Sequence, residues 1–205
     1  MWSGPSGAIA VALMDGATGC GFGALAAEEI QRALPALLDP ADACAGRWNP
    51  DVLVAELDSR VDALERDCDA TLALAAFDGG TLTVLAVGDS HVLFVPDEGP
   101  HRVLTFQARA RPRIGGGCWP PFVRSEADLP PGWVCLVCDG VHEPMGWKAV
   151  AESVRVHGAG APAEMEKAIR APRAGGLPDD FSAVVFRTDA EASEISASDG
   201  FSEGV

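Results

Sequence analysis

Ala70-Thr71-Leu72-Ala73-Leu74-Ala75-Ala76-Phe77-Asp78-Gly79-Gly80-Thr81-Leu82-Thr83-Val84-Leu85-Ala86-Val87 holds two apolar runs on either side of Asp78-Gly79-Gly80. Asp-Gly and Gly-Gly supply the backbone freedom that a tight reversal needs, so the stretch reads as a β-hairpin of two largely buried strands. Working outward, 91–95 is the next strand, and 8–14, 133–138 and 181–187 are further short apolar runs bounded by turn residues. Helical patterns lie between them. Residues 24–34 are mostly strong helix formers and are expected to stop before Pro35. Asn49-Pro50-Asp51 is a helix start followed by Leu53, Leu57, Val61 and Leu64 at helical spacing. Residues 147–156 and 162–169 complete the order strand, helices, strands, helices, strand, with no internal repeat.

Composition narrows the function. The 205 residues carry 15 Lys+Arg against 30 Asp+Glu, a net charge of −15. Nucleic acid and anionic membrane surfaces are thereby disfavoured as partners, because both attract cations. With 48% apolar residues, the chain can bury a large core and is expected to form one domain. The opening residues lack a basic head and the first apolar run stops at Asp15, so neither a signal peptide nor a spanning helix is expected, and the reading is a cytoplasmic protein. Of six cysteines, only Cys135 and Cys138 have the C-x-x-C spacing. They sit in a strand pattern that turns them to opposite faces, which points to buried thiols rather than a zinc site. Residues 189–205 contain five acids and no base among small polar residues, and are expected to be a disordered acidic tail.

Three aspartates lie at strand edges. Asp15 and Asp139 each follow an apolar run and precede a glycine, and Asp179 stands before another run, doubled by Asp180. If the strands belong to sheets packed together, these carboxylates can converge, and converging carboxylates need a hard divalent cation to offset their repulsion. Taken singly, an Asp-Gly pair is also a common turn dipeptide.

Four segments resemble, in order, the metal-dependent serine/threonine phosphatases of type 2C: Val11-Ala12-Leu13-Met14-Asp15-Gly16; Ala70-Thr71-Leu72 leading to Val87-Gly88-Asp89-Ser90; Leu136-Val137-Cys138-Asp139-Gly140-Val141; and Asp179-Asp180-Phe181-Ser182-Ala183-Val184-Val185. The resemblance implies an α+β fold, a four-layer αββα sandwich of two antiparallel sheets with flanking helices, over residues 1–188. It also implies two ions, Mn²⁺ or Mg²⁺, with Asp15 bridging them, the Gly16 carbonyl on one, and Asp139 and Asp179 on the other. The implied activity is hydrolysis of phosphoserine or phosphothreonine in a phosphoprotein substrate by water, with no protein nucleophile.

The chain departs from the family pattern in several places. An N-terminal strand with its Arg and acid is not evident before Asp15; Ala17, His91 and Asp180 replace a usual His, Arg and Asn; and the stretch from Ser90 to Ile114 is short for the usual flap. These departures frame the alternative, a pseudophosphatase that binds a partner protein or a phosphoprotein without turnover. Arg109, Arg111 and Arg113 alternate, so on an extended segment they would share a face suited to phosphate oxygens or form a solvated basic edge. A dinucleotide-binding turn is imitated by Gly19, Gly21 and Gly23, but position 24 is Ala and the G-x-G-x-x-G spacing fails.

Overall fold

The structure, a computed structural model of the chain, describes residues 1–17, 21–108, 110–117, 120–171, 180–189 and the backbone of 196–200. Along the chain run β1 (Trp2–Ser3), β2 (Ile9–Gly16), α1 (Gly23–Leu37), α2 (Pro40–Cys44), α3 (Pro50–Asp62), β3 (Ala70–Phe77), β4 (Thr81–Val87), β5 (His91–Pro96), β6 (Arg102–Val103) and β7 (Phe122–Ala127). Then follow β8 (Gly132–Val137), α4 (Asp139–Met145), α5 (Trp147–His157), α6 (Ala161–Arg170), β9 (Phe181–Arg187) and β10 (Ser196–Gly200). The chain divides into two compact units, Met1–Ser90 with Thr105–Leu129, and His91–Leu104 with Pro130–Val205. Each has its own five-stranded antiparallel sheet and its own helices, so the α+β class implied by the resemblance is the class observed.

In the first unit the sheet order is β1-β2-β3-β4-β7. The hairpin of β3 and β4 forms at the expected place. The Asp78 carboxylate accepts from Gly80 N (3.0 Å) and Thr81 N (2.7 Å), and Gly79 takes φ +90°, a conformation that favours glycine. Alternate residues Leu72, Leu74 and Ala76 pack with Ile30 and Leu34 of α1 and with Leu53, Leu57 and Val61 of α3. Every residue of β3 is buried, which is why it reads as an unbroken apolar run rather than an alternation.

Two expectations need correction here. The first helix does not end before Pro35 but runs through it to Leu37. Proline removes one donor and crowds the carbonyl four residues back, but both effects fall in the last turns of the helix, whose packed face still comprises Ala26, Ile30, Ala33 and Leu34. An N-terminal strand does exist. It is two residues long, pairs Trp2 with Ala10 and Ser3 with Ile9, and carries neither an Arg nor an acid. Both β1 and β7 escaped the hydropathy pattern because they are an edge fragment and an edge strand whose residues are partly or fully exposed.

In the second unit the order is β10-β9-β8-β5-β6, with β8 in the middle. Val134, Leu136, Phe181 and Val185 of the sheet are buried, as are Val150, Val154, Met165 and Ile169 of the helices. Arg187 is held by Asp97 (2.7 Å) and Asp189 (2.7 Å) and lies over the Trp133 ring, 5.2 Å from its centroid. Within the stretch expected to be disordered, the backbone of Ser196–Gly200 pairs antiparallel with β9. An open sheet edge offers backbone partners that a composition argument, which counts apolar side chains, does not register. The rest of 190–205 lies outside the described residues. Among the described residues no helix is long and apolar enough to cross a membrane.

Candidate functional site

In the first unit Asp15 and Gly16 are the last two residues of β2, inside the strand rather than just past it, paired with Thr71 and Ala70. The chain leaves the sheet under tight control. Ala17 N donates to the Asp69 carbonyl (3.0 Å), and Gly16 lies against the first residue of α1, where a Cβ on residue 16 would stand 2.3 Å from the Gly23 carbonyl group. Only glycine permits that approach of strand end to helix start, so Asp-Gly here is more than a turn dipeptide. Gly23 serves this contact, while Gly19 of the imitated dinucleotide turn lies outside the described residues.

The Val-Gly-Asp-Ser segment closes on the same end of the sheet. Gly88 takes φ +89° and a Cβ there would lie 2.8 Å from Thr71 Cγ2. The Ser90 and Thr71 hydroxyls are hydrogen-bonded at 2.6 Å and buried. Asp89 accepts from Arg113 Nη2 with both oxygens (3.0 and 3.2 Å), and Arg113 Nη1 is 3.8 Å from Asp69 Oδ1. Arg113 is fixed in turn by its neighbours: Ile114 and Ala70 exchange backbone hydrogen bonds at 3.0 Å, and Gly115 N donates to the Asp58 carboxylate at 2.7 Å. Arg113 is therefore committed to Asp89 and Asp69. The Arg113 side chain is 12% exposed among carboxylates, Arg111 lines a separate cleft of about 200 Å³ with Gln107 and Phe122, and Arg109 lies outside the described residues.

Among the described residues, this end of the first sheet carries Asp15, Asp69 and Asp89 and the Arg113 guanidinium. Asp69 Oδ1 is buried with no hydrogen-bond donor, and the cation beside it is the Arg113 guanidinium at 3.8 Å. Asp15 and the Gly16 carbonyl offer oxygen donors, the kind that a hard divalent ion such as Mg²⁺ or Mn²⁺ takes. Sequence reading missed Asp69, because nothing in Cys68-Asp69-Ala70 sets it apart from an ordinary residue before a strand.

In the second unit Asp139 opens α4 directly after β8, and its Oδ1 accepts from Gly140 N at 2.7 Å. Cys138, between strand and helix, ties this point to the start of β9. Its backbone N donates to Ser182 O (3.2 Å), its Sγ accepts from Ser182 N (3.2 Å), and its thiol donates to Asp180 O (3.4 Å). Asp139 and Asp180 thus belong to adjoining segments, while Asp179 lies outside the described residues. Cys135 and Cys138 are buried thiols, as their strand pattern predicts, and burial pushes the Cys135 thiol up to about 12. Nearby, the His142 ring of α4 stacks on Trp147 at 4.5 Å, with His91 edge-on to both at 5.2 and 5.4 Å. A lone His142 in the sequence carries no sign of this grouping, since its two ring partners come from other elements.

No protein-family model matches the sequence, and no curated protein does. Solved structures do match the fold. The serine/threonine phosphatase PstP/Ppp of Mycobacterium tuberculosis aligns over 87% of this chain and 87% of its own, at TM-score 0.71 and 20% identity. The catalytic domain of PstP, solved in complex with two manganese ions, aligns over 87% and 86% at TM-score 0.70 and 19% identity. The S. agalactiae serine/threonine phosphatase aligns over 90% of each chain at TM-score 0.68 and 16% identity. The chain has the fold of these serine/threonine phosphatases, the fold that the type 2C resemblance implies.

Proposed function

We propose that residues 1–188 act as a metal-dependent phosphomonoester hydrolase on phosphoserine or phosphothreonine in proteins. The observation that carries this reading is the repeated placement of an Asp-Gly pair with a half-buried aspartate at the C-terminal end of an inner strand, Asp15-Gly16 on β2 and Asp139-Gly140 after β8, in a fold shared with serine/threonine phosphatases. Asp15, the Gly16 carbonyl, Asp139 and Asp179 would hold the ions. When bound, two divalent ions supply Lewis acidity, lowering the pKa of water and drawing charge from phosphoryl oxygens. The chain's own contribution is to aim these oxygens. Gly16 against Gly23 sets the strand end, Cys138 sets the start of α4, and the Arg113 pairs limit the repulsion that Asp69 and Asp89 would otherwise exert.

The test is hydrolysis of an aryl phosphate and of a phosphopeptide with and without Mn²⁺. Wild type is expected to show Mn²⁺-stimulated turnover that Asp15→Asn abolishes, because this substitution removes a ligand acting on the chemical barrier. Mn²⁺ binding without turnover above the Asp15→Asn background would transfer the assignment to the pseudophosphatase alternative, with a partner protein in place of a substrate.

A further inference from the structure

Away from Asp15, the first unit has a groove of about 370 Å³ between the end of α1 and the start of α3. Leu37, Trp48 and Val52 supply its apolar wall, and Val52 is 63% exposed. A single exposed valine is ordinary, but one beside a half-buried tryptophan in a concave, ligand-sized space is not. The rim is acidic. Asp39, Asp42 and Glu56 stand there against two cations, Arg47, which Asp42 holds at 2.8 Å, and Arg60, which Glu56 holds at 2.8 Å, while Asp39 also caps α2 by accepting from Ala41 N. The last turn of α1 has no basic residue, so its carbonyl end adds partial negative charge, whereas the positive end of α3 is answered by the Asn49 cap and by Asp51.

We infer that this groove docks a peptide segment of a partner protein that presents aliphatic side chains flanked by Lys or Arg. The apolar wall takes the aliphatic anchors, and the carboxylate rim with the helix end takes the cations, the helix-in-groove mode of peptide recognition. A second copy of the chain is disfavoured by its charge of −15, which sets acidic surfaces against an acidic rim. Nothing in this inference uses phosphate or metal, so it stands or falls independently of the hydrolase reading.

The experiment uses the full chain and a fluorescein-labelled synthetic amphipathic peptide with leucine and lysine at helical spacing, compared by anisotropy with a counterpart in which glutamate replaces lysine. Wild type is expected to bind the lysine peptide about ten-fold or more tightly than the glutamate peptide. Val52→Ser, which removes apolar surface without changing charge, is expected to weaken that binding about five-fold or more. Val156→Ser, on α5 and also 63% exposed in wild type, is expected to leave it unchanged. Equal affinities in wild type and Val52→Ser would overturn the assignment in favour of diffuse attraction to an acidic surface. Self-association of wild type, lost in Val52→Ser by sedimentation, would overturn it in favour of a second copy.

Discussion

Arg113 donates to Asp89 and lies beside Asp69, with its side chain 12% exposed and theirs 26% and 25%. Removing one partner of a buried ion pair leaves charge without compensation, which costs about 3–5 kcal/mol when burial is complete and less at this exposure. Arg113→Ala is therefore expected to destabilise the protein by about 2 kcal/mol in urea unfolding, and a change confined to KM with unaltered stability would return this arginine to phosphate binding. Cys135 gives a pH signature of its own. Burial raises its thiol from 9.0 to about 12, so below pH 9 folded and unfolded chains are both protonated at this residue. Above that, the unfolded chain releases a proton that the folded one keeps. Stability falls by about 1.4 kcal/mol per pH unit for this thiol until the folded group ionises near 12. Unfolding under reducing conditions from pH 8 to 11 is expected to show that loss, reduced in Cys135→Ala.

At the level of elements, the junction of β2 and α1 leaves little room for change. A Cβ at residue 16 would stand 2.3 Å from backbone atoms of Gly23, which cannot yield as the end of a flexible side chain would. Gly16→Ala is expected to cost roughly 2 kcal/mol or more in stability and to weaken Mn²⁺ binding, since any shift of the strand end re-aims Asp15 and the residue-16 carbonyl together. Calorimetric titration with Mn²⁺ checks the second part. An affinity equal to that of wild type would remove the junction's proposed role in placing these oxygens. The α4 start differs in kind, because it is tied to β9 by a thiol as well as by ladder bonds.

For the whole molecule, any ligand that binds only the folded chain raises its stability by mass action, and a cation relieving repulsion among carboxylates is such a ligand. Millimolar Mn²⁺ or Mg²⁺ is expected to raise the Tm of wild type, and Asp139→Asn to remove most of that rise. A wild-type melting curve indifferent to Mn²⁺ would count against the metal assignment even if some hydrolysis were seen.

The sequence alone determined the elements that bury apolar residues in regular patterns: the 70–87 hairpin, the Asn49-capped helix and the 133–138 and 181–187 strands are marked by adjacent residues, and local chemistry is sufficient to specify them. It also carried the four motifs that point to the type 2C phosphatase fold. Tertiary structure decided what depends on residues far apart in the chain. The edge strands β1 and β7 exist because a neighbouring strand pairs with them, whatever their own hydropathy. Arg113 is held by Asp69 and Asp89, which lie 44 and 24 positions earlier in the chain (113 − 69 and 113 − 89). Gly16 meets Gly23 at a distance that leaves no room for a Cβ, and His142 acquired ring partners from β5 and α5. In each case the deciding interaction is a contact formed only on folding, and spacing along the chain does not encode it.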